Sequence, residues 1–211
     1  MKYKAVIFDL DGVIVSTDML HYKAWKHMAD LYGIPFNQKI NHRLRGVSRM
    51  ASLDIILENT TSIYTKEEKL KMATLKNDYY VKLLSELTPD DILEGTNALL
   101  TYLKSKDIRV AIGSSSKNAG IILKQIGLDL AFDVIADGNH ITHSKPDPEV
   151  FLKAANMLGI KPEDCAVIED AVAGIEAAKR ANMYAVAIGD AKNAKDADLK
   201  IDSLLELIDV F

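Results

Sequence analysis

Residues 4–13 of the chain read KAVIFDLDGV. The first five of these residues form an apolar run typical of a buried strand, and two carboxylates, Asp9 and Asp11, follow directly. Two like charges at the end of a buried strand cost free energy, because each loses water and both repel in a low dielectric. A divalent cation, or a proton held by one member, reduces that cost. Both solutions are typical of catalysis, so the segment predicts an active site at the end of the first strand.

The composition is that of an ordinary globular protein. The chain has 211 residues, of which 48% are hydrophobic and 27% are charged, and its formal net charge is -4. This is enough material for one large domain, or for a domain with a smaller insertion. The negative balance argues against a nucleic-acid-binding face.

The cysteine count and the lengths of the apolar runs indicate in which cellular compartment we expect the protein. Cys165 is the only cysteine, so no intramolecular disulfide can form, and we expect it to be a small packing residue. The N-terminal apolar run lacks the features of a secretory signal, and no stretch approaches the roughly 18 apolar residues of a membrane span. We therefore expect a soluble, cytoplasmic monomer whose partners are small molecules, not nucleic acids or membranes.

Short apolar runs alternate with helical patterns along most of the chain. This alternation predicts an α/β fold, a doubly wound parallel sheet with helices on both faces. The predicted strands are residues 4–8, 109–112, 132–136, 165–168 and 184–188. The predicted helices are residues 96–105, 118–126, 148–158, 171–181 and 203–210.

One long interval departs from this alternation. Residues 17–87 contain no convincing strand, and helical spacing predicts helices over 18–32, 48–59 and 65–86. The last begins with Thr65 and carries Glu68 three residues later, the pattern of a capping box. We expect a core domain of residues 1–16 and 88–211 and a helical cap domain of residues 17–87 over the carboxyl edge of the sheet. Residues 15–17 and 88–91 would link the two.

Polar side chains of complementary kind follow four of the predicted strands. In doubly wound sheets, ligands bind outside the carboxyl ends of the strands. The side chains at those ends are carboxylates, hydroxyls and lysines, and this agreement indicates a single active site. They are Asp9 and Asp11, the run 113–118, Asp137 with the run 144–148, and the pair Glu169 and Asp170.

The order and spacing of these residues resemble the haloacid-dehalogenase superfamily, the aspartate-dependent phosphotransferases, over essentially the whole chain. The matching motifs are DLDGV at 9–13, Ser114, Lys145, and the pair at 169–170. The resemblance implies that Asp9 is the nucleophile, which forms an aspartyl-phosphate, and that Asp11 is the general acid and base. Ser114 and Lys145 would bind phosphate oxygens. Carboxylates are established nucleophiles in phosphoryl transfer, which agrees with these roles.

The resemblance also implies a Mg2+ site. The ion would lie between the Asp9 carboxylate, the Asp11 backbone carbonyl and Asp170, with Glu169 in or next to its coordination shell. Hard oxygen ligands suit Mg2+, which usually keeps waters and uses one or two carboxylates plus substrate phosphate. The cation relieves repulsion between an anionic nucleophile and an anionic phosphate.

Residues of the cap and of the 114–118 loop resemble the sugar-phosphate mutases of the superfamily. A mutase needs a phosphate site at the nucleophile and a second, distal one, and by resemblance Arg49 and residues 116–118 form the distal site. Gly46 and Val47 would offer backbone atoms to the sugar. The full set of predicted substrate-binding residues is Thr17, His21, Trp25, Gly46, Val47, Arg49, Ser52, Lys76, Ser115, Ser116, Lys117 and Asn118.

The implied reaction interconverts beta-D-glucose 1-phosphate and glucose 6-phosphate through an aspartyl-phosphate. Its intermediate, beta-glucose 1,6-bisphosphate, would turn around in the site and serve as an activator. Two departures bear on how well hydrolysis is suppressed: Ser16 stands where relatives often carry Asp, and Ala171 replaces a common Ser. A Mg2+-dependent phosphatase of small sugar phosphates is therefore the alternative function. The intact acidic and lysine residues argue against a catalytically silent sugar-phosphate regulator.

Several residues also have a purely structural interpretation. Ser115 could cap the next helix, and Asp137 could be a turn residue at a strand end. Trp25 could be an aromatic of the cap core, and His21 an ordinary residue of an amphipathic helix. The pair at 169–170 could be acids at a helix start, an interpretation compatible with metal binding.

Overall fold

A parallel sheet of six strands, in the order β3-β2-β1-β4-β5-β6, organises the part of the chain described in this computed structural model, residues 3–44, 47–58 and 60–211. Neighbouring strands pair in parallel throughout, which confirms the predicted α/β class. The strands are β1 (Ala5–Phe8), β2 (Arg109–Gly113), β3 (Val134–Ala136), β4 (Cys165–Glu169), β5 (Tyr184–Ala187) and β6 (Leu199–Lys200).

Eight α-helices are found within the described residues. They are α1 (Asp18–Leu31), α2 (Gln38–His42), α3 (Arg49–Leu57), α4 (Lys66–Leu84), α5 (Thr96–Ser105), α6 (Ala119–Gln125), α7 (Glu149–Leu158) and α8 (Val172–Arg180). Short 3-10 helices cover Pro89–Asp91, Pro162–Asp164, Gly189–Asn193 and Leu204–Asp209.

The structure corrects the sequence predictions at β6, at α2 and at the helix predicted over 203–210. The two-residue strand β6 and the five-residue helix α2 were not predicted, because elements this short carry too little periodicity to register. The helix predicted over 203–210 is a 3-10 helix over Leu204–Asp209. The predicted linker at 88–91 contains the 3-10 helix Pro89–Asp91, which is closed by an Asp91 carboxylate that accepts from the Thr88 backbone N–H.

The chain divides into two compact units, which we call the sheet unit and the helical unit. The sheet unit consists of Met1–Ser16 and Thr88–Phe211, and the helical unit is Thr17–Leu87. No described helix combines the length and the apolar character that crossing a membrane requires.

The sheet unit has apolar side chains on both faces of its central strands. On one face Ile7 and Val167 pack with Phe151 of α7 and Ile175 of α8 in one buried cluster. On the other face the Phe8 ring meets the Phe132 ring edge-on, at a centroid distance of 5.9 Å. Burial on both faces explains why these strands read as continuous apolar runs.

The helical unit has its own core. In α1 the buried residues include Ala24, Trp25, Met28 and Ala29, which share one face of the helix. Trp25, Met28 and Ala29 join a cluster with side chains of α3 and α4, including Leu53, Ile56, Met72 and Ala73. At the start of α4 the Thr65 hydroxyl accepts from the Glu68 N–H, and the Glu68 carboxylate accepts from the Thr65 N–H at 2.8 Å, which confirms the capping box.

Candidate active site

Strand order brings the acidic residues of the sheet unit together. Strand β1 lies between β2 and β4, and Phe8 is in register with Ile112 and Ile168. The Asp9 N–H donates to the Ile168 carbonyl at 2.9 Å, so Asp9 emerges beside Glu169. The chain builds β2 and β3 on one side of β1 and β4 on the other. The Asp9 side chain therefore lies at the topological switch point, where open α/β sheets bind ligands.

Lys145 is an ion-pair partner of the buried carboxylates. Its Nζ lies 2.5 Å from Asp9 Oδ1 and 3.3 Å from Glu169 Oε1, and only 2% of its side chain is exposed. Nζ also lies 4.6 Å from the centroid of the Phe151 ring. A cation in this position offsets the charge of the two acids it contacts.

Burial and neighbouring charges shift the pKa values at this site. Burial alone lowers the pKa of Lys145, but the charges and hydrogen bonds of Asp9 and Glu169 outweigh it and raise that pKa above its ordinary value. Burial raises the pKa of Glu169 well above its ordinary value, and the charge of Asp9 adds to the shift while Lys145 opposes it. The raised pKa of Glu169 means that burial, together with the charge of Asp9, outweighs the opposing effect of Lys145.

The carboxylates fit a hard divalent cation. Asp9, Glu169 and Asp170 each place an oxygen within 4.8 Å of the others, which is a spacing that one ion can bridge. The Asp170 N–H donates to Glu169 Oε2 at 2.9 Å, which fixes the Glu169 carboxylate. Gly12 has a φ of +85°, and a Cβ at this position would overlap the Asp170 carboxylate. A glycine at position 12 therefore leaves room for the Asp170 carboxylate. Asp11, the predicted general acid and base, directly precedes Gly12.

The 114–118 loop follows β2 and begins beside β3. The Ser114 N–H donates to the Ala136 carbonyl at 3.0 Å, and the Ser114 hydroxyl accepts from the Ser116 N–H at 3.1 Å. The Ser116 hydroxyl accepts from the Asn118 N–H at 3.2 Å, and Lys117 is exposed. The Ser115 Oγ is buried and has no hydrogen-bond partner among the described residues, so Ser115 does not cap α6. A buried hydroxyl without a partner is costly, and a ligand oxygen would satisfy it.

Asp137 follows β3 and is buried. Its carboxylate accepts from the Asn139 N–H at 2.9 Å and from the Asn139 amide at 3.1 Å. These bonds match the interpretation of Asp137 as a turn residue at a strand end.

In the helical unit a buried lysine contacts three aromatic rings. Lys76 Nζ lies 2.8 Å from His21 Nδ1, 4.4 Å from the centroid of the Tyr80 ring and 5.0 Å from that of Trp25. The Tyr80 hydroxyl donates to the Thr17 Oγ1 at 3.2 Å. Trp25 is also part of the apolar core of this unit, so its structural interpretation is correct alongside its contact with the ammonium group. Tyr80 was not predicted, although its place four residues after Lys76 puts both on one face of α4.

Charge and burial in this cluster keep the histidine neutral. Burial, followed by the charges of Lys76 and Arg49, holds the pKa of His21 well below its ordinary value. A neutral ring accepts at Nδ1 the hydrogen bond that the Lys76 ammonium donates. Burial also lowers the pKa of Arg49, against the opposing effects of Asp78 and Tyr80.

The remaining predicted residues of the helical unit lie around the start of α3. Arg49 is its first residue, Ser52 is buried one turn of helix later, and Ser48 caps the helix by accepting from the Ala51 N–H. The Val47 N–H donates to the Leu44 carbonyl at 3.2 Å, so this amide is already engaged. Gly46 lies outside the described residues.

The predicted site residues therefore form one group in the sheet unit and another in the helical unit. In the sheet unit the structure brings together Asp9, Lys145, Glu169 and Asp170. In the helical unit it groups His21 and Lys76 on the Tyr80 ring, with Trp25 in contact with the Lys76 ammonium group and Thr17 bound by the Tyr80 hydroxyl. The Phe151 ring below Lys145 was not predicted, because it reads as an ordinary core residue of α7. Cys165 is buried, and burial raises the pKa of its thiol to about 11, so it is an inert packing residue as predicted.

Comparison with known proteins identifies relatives of this chain. A family model described as haloacid dehalogenase-like hydrolase matches residues 3–182. The chain is 46% identical to a beta-phosphoglucomutase of Bacillus subtilis over 97% of this chain and 93% of that protein. It is 31% identical to a phosphorylated carbohydrates phosphatase of Thermotoga maritima, over 85% of this chain and 82% of the relative. The crystal structure of a beta-phosphoglucomutase from Clostridium difficile is similar at a TM-score of 0.91 and 46% identity, covering 97% of this chain and 93% of that one.

Proposed function

Since this chain belongs to the family of haloacid dehalogenase-like hydrolases, we propose that it interconverts beta-D-glucose 1-phosphate and glucose 6-phosphate, the reaction of a beta-phosphoglucomutase. The observation that carries the proposal of phosphoryl transfer is the buried Asp9 carboxylate, bound by Lys145 at the switch point of the sheet. The choice of a sugar-phosphate mutase is supported by the 46% identity to the Bacillus subtilis enzyme over nearly the whole chain.

In this proposal Asp9 carries the phosphoryl group between the two positions of the sugar. An Asp9 phosphate transfers its phosphoryl group to the O6 hydroxyl of beta-glucose 1-phosphate, as the O6–P bond forms and the Asp9 O–P bond breaks. Asp11 takes the O6 proton. The resulting beta-glucose 1,6-bisphosphate turns around, and Asp9 attacks the phosphorus at position 1. Asp11 then returns the proton to O1, so glucose 6-phosphate leaves and the Asp9 phosphate is restored.

Charge compensation is the main task of the surrounding residues. Lys145 contacts the Asp9 carboxylate and offsets the charge of an incoming phosphate, while Ser114 would bind a phosphate oxygen. Asp9, Asp170 and the Asp11 carbonyl, with Glu169, would hold Mg2+. That ion, when bound, reduces the repulsion between the anionic nucleophile and the phosphate. The fit of the three clustered carboxylates supports this assignment.

A second phosphate site distinguishes a mutase from a phosphatase. We propose that Arg49 and residues 116–118 bind the phosphate that is not transferred. The Arg49 guanidinium can form two parallel hydrogen bonds to phosphate oxygens, and its lowered pKa reflects a buried charge for which an anion would compensate. His21, Trp25 and Lys76 would complete the sugar site together with Thr17 and Ser52.

The products of turnover test the proposal. The protein is incubated with beta-glucose 1-phosphate, Mg2+ and a trace of beta-glucose 1,6-bisphosphate, and glucose 6-phosphate and free phosphate are measured together. We expect glucose 6-phosphate in large excess. In Asp9→Asn, a variant of nearly identical shape, we expect at least a roughly thousandfold loss of rate and no phosphorylated protein by mass spectrometry.

The alternative is a phosphatase of small sugar phosphates. It is favoured by the similarity to the Thermotoga maritima phosphatase and by the departures at Ser16 and Ala171. Accumulation of free phosphate without glucose 6-phosphate would reject the mutase and support this alternative. Phosphorylation that persists in the Asp9 variant would show that another group is the nucleophile.

A further inference from the structure

We propose that the turn 137–139, which follows β3, is a positioning element for the 114–118 loop and keeps this loop in shape to bind the phosphate that is not transferred. The inference rests on the proposed function and adds to it two residues that contact no substrate, Gly138 and Asn139. We call this segment the β3 turn.

Two hydrogen bonds join the β3 turn to the loop. The Gly138 N–H donates to the Ser116 carbonyl at 3.1 Å, and the Asn139 side-chain amide donates to the Lys117 carbonyl at 3.0 Å. Both bonds therefore end on consecutive carbonyls of the loop, between the residues assigned to the distal phosphate.

The direction of these carbonyls matters for an anion. A carbonyl oxygen repels phosphate, whereas an N–H group attracts it. In a trans peptide the C=O and the next N–H point in opposite directions, so a Ser116 carbonyl directed at the β3 turn turns the Lys117 N–H away from it. Binding both carbonyls to the β3 turn thus removes two acceptors from the anion-binding side of the loop.

Asn139 is itself oriented by a buried carboxylate. Asp137 accepts from the Asn139 backbone N–H at 2.9 Å and from its side-chain nitrogen at 3.1 Å. The side-chain nitrogen therefore has two acceptors, the Asp137 carboxylate and the Lys117 carbonyl, and of the two terminal atoms of the Asn139 amide only the nitrogen can donate. The Asp137 charge fixes the amide, and the amide fixes the loop.

Gly138 permits the close approach of the two segments. A Cβ at this position would overlap the Ser115 carbonyl oxygen and would lie 2.9 Å from the Lys117 Cγ and 3.1 Å from the Lys117 N. Two of these three atoms are backbone, so the loop itself would have to move. The buried Ser115 hydroxyl without a partner lies in this same loop, which is consistent with a loop that is shaped for a ligand.

The test separates the distal phosphate from the chemistry at Asp9. The variants are Asn139→Ala, Asn139→Asp and Gly138→Ala, each primed with acetyl phosphate, a phosphoryl donor that carries no second phosphate. We expect KM for beta-glucose 1-phosphate to rise about tenfold in Asn139→Ala, because this variant loses a hydrogen bond near a charged ligand. The rise in KM should be larger in Asn139→Asp. The rate at which acetyl phosphate phosphorylates Asp9 should stay within about twofold of the wild-type rate.

Gly120→Ala is the matched control for the glycine. Gly120 lies in α6, next to the loop, and a Cβ there meets no atom within 4 Å. We expect this variant to keep both the wild-type KM and the wild-type phosphorylation rate. If Gly138→Ala does not fold, the two Asn139 variants retain the Gly138 N–H and decide the matter.

Two results would overturn the inference. One is an unchanged KM in folded Asn139 variants. The other is an equal loss in KM for the sugar phosphate and in phosphorylation by acetyl phosphate, which indicates general damage to the sheet unit. A wild-type protein that releases only free phosphate would instead reject the proposed function. The KM for hydrolysis of beta-glucose 1,6-bisphosphate would then test the β3 turn, because this donor also carries a second phosphate.

Discussion

Replacing Lys145 by methionine tests the electrostatics on which the site depends. Lys145→Met keeps an unbranched apolar side chain of similar size, and it removes the ammonium group that contacts Asp9 at 2.5 Å and Glu169 at 3.3 Å and lies 4.6 Å from the centroid of the Phe151 ring. Removal of one partner from a buried ion pair costs about 3–5 kcal/mol. We expect the lower end of that range, about 3 kcal/mol at pH 7, because Glu169 can take up a proton and so reduce the uncompensated charge.

The cost should depend on pH with a defined sign. Without Lys145, the pKa of Glu169 rises further above its ordinary value of 4.5. A carboxyl with a raised pKa in the folded state loses its stabilising contribution as the pH rises above the unfolded value. The deficit of the variant should therefore be small near pH 4.5 and should grow, by at most about 1.4 kcal/mol per pH unit, once the pH exceeds the raised pKa that Glu169 has in the folded wild-type protein.

The assay is urea unfolding of both proteins in EDTA, so that no divalent ion replaces the missing charge. The exposed Lys195 offers the control Lys195→Met, for which we expect a change within about 0.5 kcal/mol at any pH. A deficit below about 1 kcal/mol for Lys145→Met, or one that does not change with pH, would refute the reasoning.

Three further predictions concern the helical unit. Arg49→Ala should lower kcat/KM for beta-glucose 1-phosphate by about 100-fold while leaving phosphorylation by acetyl phosphate unchanged, and a loss below about threefold would remove Arg49 from the phosphate site. The free energy of unfolding of the wild type, relative to that of His21→Gln, should fall as the pH drops below about 6.5, by up to about 1.4 kcal/mol per pH unit, because the unfolded chain binds a proton that folded His21 excludes; urea unfolding of both proteins measures this difference. Thr65→Ala removes the capping hydroxyl of α4 and should cost about 1 kcal/mol in the same assay, with an unchanged kcat as the check on its local effect.

Much of the fold was predictable because its signals are local. The apolar run before Asp9 and the small-residue helix before Tyr184 each depend on neighbours in the chain, and the predicted bounds of these elements fall within a few residues of those observed. The capping box at Thr65 is likewise a local pattern, and both of its hydrogen bonds are present. Elements that depend on tertiary pairing were missed: β6 is a strand only because β5 lies beside it.

The candidate site was predictable as a set of residue types, but not as a set of contacts. The acids and the lysine could be named from the polar residues that come after each strand. The sequence carries no information on the ring of Phe151 below Lys145, or on the bond from Tyr80 to Thr17, because each joins positions far apart in the chain. The role of residues 138–139 could not be predicted, since their bonds to the 114–118 loop arise only when β2 and β3 are adjacent.

The amino-acid sequence by itself determined which chemistry this protein can carry. A pair of aspartates follows a buried strand, and hydroxyl, lysine and acidic residues follow later strands. These are the residue types that phosphoryl transfer uses, and the sequence contains them whatever the order of the strands in the sheet. The tertiary structure decided which of those charged groups contact one another. Asp9 and Lys145 are 136 residues apart in the chain and 2.5 Å apart in space. That pairing follows from the strand order and from the burial of both groups, and in this water-excluded site the charge of Lys145 opposes the rise in the pKa of Glu169 beside it.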